Sequence, residues 1–91
     1  MKTNALIAAP EDSVVTLTAQ AAAGEKVRYY LGGEVAEIAA KEAVPQYHKL
    51  AVKAVKKGRP VLKYGEVIGI ARVDIEPGEH VHTHNLSSDG R

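Results

Sequence analysis

Three times along the chain an apolar residue, a glycine and a valine follow one another at three-residue intervals: Ala21…Gly24…Val27, Val55…Gly58…Val61 and Ile75…Gly78…Val81. The unit reads as a short turn or helical turn closed by a glycine that can take a positive φ, followed by a strand whose first inward residue is the valine. A chain that repeats this unit is punctuated into short strands. Strands are expected near Asn4 to Ile7, Ser13 to Thr18 and Lys26 to Leu31, with Gly32-Gly33 as a two-residue hairpin turn into the alternating Glu34 to Ala39. Further strands are expected at His48 to Val52, Val61 to Tyr64, Val67 to Val73 and Val81 to Leu86, with helical character only from Leu50 to Lys57. The expectation is a single domain over residues 1–91, mostly β, barrel-like or sandwich-like, with one or two short helical turns.

Ninety-one residues without Phe, Trp or Cys leave Val, Ile, Leu and Ala to fill a modest core, so a large private ligand pocket is not expected. The missing cysteines exclude a disulfide scaffold and a thiolate metal site and make the cytoplasm the expected compartment. The N-terminal apolar run is too short for a signal peptide, and no stretch approaches the ~20 apolar residues of a membrane span. A net charge of +1 provides no global field for gathering nucleic acid. The charge is nevertheless uneven. Between Ala43 and Gly65 there is no acidic residue, while Lys49, Lys53, Lys56, Lys57, Arg59 and Lys63 all lie there. Such a run suits an anionic small molecule or an acidic partner surface; for Lys53, Lys56 and Lys57 a solvated face explains it as well, whereas Lys49 and Lys63 sit inside apolar, strand-like runs.

The chemistry-bearing residues concentrate near the C-terminus. His80, His82 and His84 alternate, and in an extended strand they would form one row, with Val81 and Thr83 facing the other way. Neutral imidazoles ligate metals and move protons near neutral pH, so the row is a candidate for either role, against the alternative of a polar solvated face. Strand spacing separates alternate histidines by ~7 Å, so two could share an ion only if their side chains converged. Lys63 and Tyr64 precede the Gly65 turn, where their polar tips could reach a ligand, and Gly69 would let another backbone come close. His48, between Tyr47 and Lys49, stands alone in the sequence. There is no GxGxxG, GK[ST] loop, GxSxG or CxxC, and a complete active site is not visible.

Three segments, Tyr47-His48-Lys49-Leu50-Ala51, Val61 to Gly69, and Ile75-Glu76-Pro77-Gly78-Glu79-His80-Val81-His82-Thr83-His84-Asn85-Leu86, together resemble the SAF domain of the altronate and galactarate dehydratase family, over roughly Val14 to Leu86. The resemblance implies a β-clip fold, found either fused to a much larger catalytic domain or made as a separate small subunit, as in sulfolactate sulfo-lyase. It implies loss of water, or of sulfite in the sulfo-lyases, from a 2-hydroxy acid, with a divalent metal, commonly iron(II), held largely by the large subunit. The expected partners are that subunit and an anionic sugar acid, and a homo-oligomer is left open. The resemblance points to His82 and His84 as the catalytic pair and to His48, Lys63, Tyr64 and Asn85 as substrate contacts; His80, His82 and His84 are the metal candidates on this chain. A noncatalytic SAF module that binds carbohydrate or a partner chain is the competing reading. Where relatives commonly have Gly before the first histidine, this chain has Tyr47, so the backbone there is expected to differ.

Overall fold

The structure is a computed structural model that describes residues 2–87. Among the described residues nine strands form three antiparallel sheets. The central sheet has the order β1-β2-β5-β8, from Ala5–Leu6, Val14–Leu17, Lys49–Ala51 and His80–Val81. The hairpin β3-β4, Lys26–Leu31 and Glu34–Ala39, forms a second sheet, and β6-β7-β9, Pro60–Lys63, Glu66–Ala71 and Leu86–Ser87, a third.

The repeated unit organises this arrangement. Ala21 and Val44 bridge each other through both backbone hydrogen bonds, and Val55 and Ile75 do the same. Gly24 N–H donates to the Ala40 carbonyl as Gly58 N–H donates to that of Ala71, so the two hairpins, β3-β4 and β6-β7, close in the same way. Tyr47 N–H donates to the Leu17 carbonyl as Gly78 N–H donates to that of Ala51. The chain is therefore two copies of one strand–turn–hairpin–turn pattern. A fourth turn unit, Val44…Tyr47…Leu50, occupies the place that a glycine marks in the others. Tyr47 takes φ +68° there, so its backbone adopts the conformation a glycine would supply rather than departing from it.

Each half has its own core. Val15, Leu17 and Leu50 face a cluster with Ala5, Ala21, Val27, Tyr29 and Val44, whereas Val14, Ala51 and Val81 face the other with Val55, Val61, Ala71 and Ile75. Alternation along β2 thus sends successive side chains into opposite cores, and the central sheet is covered on both faces. There is no closed barrel and no helix among the described residues. The helical reading of Leu50 to Lys57 is corrected: Leu50 and Ala51 are held in β5, the chain bends, and Val55 is fixed by its bridge to Ile75. The β6-β7 register shift falls between Val61 and Leu62. A Cβ on Gly69 would lie 2.6 Å from the Ser87 carbonyl, so the missing side chain lets β9 approach β7.

Asp12 locks the remaining hairpin turn. Its buried carboxylate accepts from the backbone N–H groups of Tyr64 at 3.0 Å, Gly65 at 2.8 Å and Ala9 at 2.9 Å. Burial alone would raise its pKa, but these donors together pull it below the ordinary carboxylate value. The turn is left-handed at both central residues, with φ +60° at Tyr64 and +70° at Gly65. Fixing it fixes where Lys63 and Tyr64 point.

Candidate functional site

All four histidines of the chain converge. The β5-β8 pairing sets Leu50 opposite His80 and Lys49 opposite Val81, which brings His48, just before β5, beside the residues that follow β8. His48 Nδ1 and His80 Nε2 are hydrogen-bonded at 2.9 Å, one ring donating to the other. Ring centroids are 4.5 Å apart for His48 and His82, 5.6 Å for His80 and His82, and 5.5 Å for His80 and His84.

The expected strand from Val81 to Leu86 is not what gathers them. β8 ends at Val81, and residues 82–85 form a turn wound around Asn85. The buried Asn85 side chain donates from Nδ2 to the His80 carbonyl at 2.8 Å and accepts at Oδ1 from His82 N–H at 2.9 Å, while the N–H groups of Asn85 and Leu86 donate to the His82 carbonyl. An asparagine that bonds its neighbouring backbone in this way competes with a sheet ladder and wins here. Its amide is thus engaged in holding the turn, and His82 and His84 are left exposed on the outside, over the half-buried His48 and His80. Glu42 accepts from His80 N–H at 3.2 Å.

Burial pushes the His80 pKa down from its usual value, the neighbouring His48, His82 and His84 push it further, and Glu42 opposes them. His82 is lowered by desolvation and then by His48, His84 and Lys49. Both imidazoles are therefore neutral at pH 7, able to accept a proton. Crowding four imidazoles together favours this state, because charging one raises the cost of charging the next.

Lys63 and Tyr64 lie at the β6-β7 turn, with the Lys63 ammonium 4.9 Å from the Tyr64 ring centroid. They do not bond the histidines. Lys49 connects the two places: it follows His48 in the chain, and its pKa is lowered by burial and by the charge of Lys63. Tyr47 and Tyr64, the two non-glycine residues with positive φ among the described residues, directly adjoin His48 and Lys63. Strain of this kind accumulates where surrounding structure holds a functional segment in place. Glu42 and Thr16, the latter opposite Lys49, were not expected from the sequence, because their neighbours come from strands far apart in the chain. Two open hollows, about 400 Å³ around Ala21 and Val44 and about 340 Å³ around Val55 and Arg59, are lined by no histidine. No three His, Asp or Glu side chains among the described residues form a set that could hold a metal ion.

Residues 3–89 match the family model described as the altronate/galactarate dehydratase SAF domain, and the chain belongs to that family. Over 51 residues it is 52% identical to the (2R)-sulfolactate sulfo-lyase subunit alpha of Paracoccus pantotrophus, covering 56% of this chain and 76% of that one. It is 33% identical over 79 residues to the altronate dehydratase of Bacillus subtilis, covering 87% of this chain but 15% of that protein. The subunit alpha of Chromohalobacter salexigens is 42% identical over 48 residues, 53% of this chain and 51% of that one. No helix among the described residues is long and apolar enough to cross a membrane.

Proposed function

We propose that this domain forms one wall of a cytoplasmic lyase active site that a larger catalytic chain completes, and that the reaction removes water from an anionic sugar acid of the altronate or galactarate type. The observation that carries the reading is the cluster of four imidazoles, two of them held neutral, on a domain of this family. A base takes the proton on the carbon next to the carboxylate, the C–O bond of the neighbouring hydroxyl breaks, and a proton supplied to that oxygen lets it leave as water. His82 and His84, exposed and neighbouring, serve these proton transfers. His48 orients the cluster through His80, Asn85 holds the turn in the shape that presents it, and Lys63 with Tyr64 contacts the acid or the larger chain. The divalent metal implied by the resemblance, iron(II), is in this reading held by the larger chain and would polarise the departing hydroxyl.

The 52% identity to a sulfo-lyase subunit alpha favours a second reading, in which the leaving group is sulfite and the substrate is sulfolactate. Reconstitution with the larger chain, assayed against altronate, galactarate and sulfolactate, separates the two. We expect no turnover by this chain alone and turnover of one of the acids by the complex. Elimination by the isolated chain, or a complex inactive on all of them, overturns the proposal.

A further inference from the structure

Lys49 and Thr16 are direct partners across β2 and β5, so their side chains leave the central sheet on the same face. It is the face of Val14 and Ala51, each two residues away, which belong to the second core. Lys63 stands two residues beyond Val61 of that same core, on a strand tied to β2 where Leu62 accepts from Ser13 N–H and donates to Ser13 Oγ. Lys49 and Thr16 thus share one face of the sheet, and the Lys63 charge bears on Lys49 from the neighbouring strand. The ion pairs among the described residues use Lys26, Arg28 and Lys56, and neither Lys49 nor Lys63 has a carboxylate partner there. Thr16 Oγ1 is the one buried side-chain polar atom without a hydrogen-bond partner among the described residues. A buried hydroxyl left unpaired beside a half-buried ammonium is costly unless something completes it.

We propose that Lys49, Lys63 and the Thr16 hydroxyl form a binding site for the oxyanion headgroup, carboxylate or sulfonate, of a small hydroxy acid. Two ammonium groups and one hydroxyl match an anion with two or three accepting oxygens, and lysine, a compact point charge, accommodates either headgroup geometry. An anion there also relieves the desolvation and mutual repulsion that hold the Lys49 pKa down. Lys49 directly follows His48 in the chain, and its charge bears on His82 of the imidazole cluster. This inference rests on the lyase reading and names the residues that would hold the acid's charge.

The test is an amide-resolved NMR titration of the full chain with sulfolactate, malate and, as a neutral control, erythritol. Saturable shifts centred on Thr16, Lys49 and Lys63 are expected with the acids and not with erythritol, and the tighter acid identifies sulfonate or carboxylate as the preferred headgroup. Lys49→Met is expected to weaken binding about tenfold or more, Lys49→Arg to retain most of it and Lys53→Met to leave it unchanged, with melting points recorded for each. In the complex, Lys49→Met should raise KM about tenfold while kcat stays within about threefold. Shifts that do not saturate, or equal binding by Lys49→Met and the unmodified chain, overturn the site. If the complex turns over an acid with KM unchanged in Lys49→Met, the site fails while the lyase reading stands. Saturable binding at these residues in a chain whose complex is inactive leaves the site and removes the lyase reading.

Discussion

Replacing Gly78 by alanine tests the turn architecture that delivers the histidines. Gly78 has φ +94°, and a Cβ built there lies 2.6 Å from the Ala39 carbonyl oxygen and 3.1 Å from Lys41 Cγ. The left-handed backbone costs an alanine about 1–2 kcal/mol. The carbonyl is backbone and cannot rotate away, so relief must come from moving the turn, which loosens the bonds from Gly78 N–H to Ala51 at 2.8 Å and from Lys41 N–H to Gly78 at 2.8 Å. Each weakened bond costs about 1 kcal/mol, for a total of about 3 kcal/mol. Gly58 closes another of the repeated turn units with φ +85° but has nothing within 4 Å of its Cβ, so Gly58→Ala carries the backbone penalty alone, about 1 kcal/mol. In a domain of this size these costs become melting-point losses of roughly 12–24 °C and 4–8 °C. Thermal and urea unfolding followed by circular dichroism measure both. Equal losses for the two variants would refute the close-approach argument.

Asp12→Ala should cost about 2–4 kcal/mol in urea unfolding, since it strips acceptors from the N–H groups of Ala9, Tyr64 and Gly65. Because the Asp12 pKa is lowered in the fold from 3.8, its contribution is present above that pH and is lost as pH falls through the folded value; acid titration of both proteins should show the difference vanishing there. Tyr47→Gly removes left-handed strain at φ +68° but adds unfolded-state freedom, so a stability change within about 1 kcal/mol is expected, and a loss well beyond that would mean the tyrosine ring itself supports the fold. His80 and His82 have pKa values below the ordinary 6.5, so the acid limb of kcat/KM in the complex should have its midpoint below that pH. The same shifts predict stability that is full above 6.5 and declines as pH falls towards the folded values, where the unfolded chain binds protons first.

Local signals were readable wherever one strand and its own turn decide the outcome. The β3-β4 hairpin lies where alternation and Gly32-Gly33 place it, Gly65 lies in a turn as expected, and Gly69 has the close neighbour expected of it. The fourth turn unit was hidden because a tyrosine occupies its left-handed position, held there by the Leu17 bond and the strands on either side. The segment after Val81 reads as a strand by alternation, but Asn85 satisfies two backbone groups locally and winds it into a turn. The candidate site was legible as a histidine spacing, not as a cluster. His48 and His80 meet only through β5-β8 register, and the Lys49 and Thr16 pairing likewise joins strands whose separation no local pattern encodes.

Whether the histidine turn takes part in catalysis is measured directly by turnover of the reconstituted complex carrying His82→Ala or His84→Ala, with assembly and melting point determined on the same samples. Both side chains are exposed, so neither replacement opens a cavity or leaves a buried group unpaired. Intact folding, unchanged assembly and a fall in kcat of about 10²-fold or more for at least one of the two are expected. Full activity in both variants would contradict this and leave the histidine turn a structural feature of a noncatalytic module.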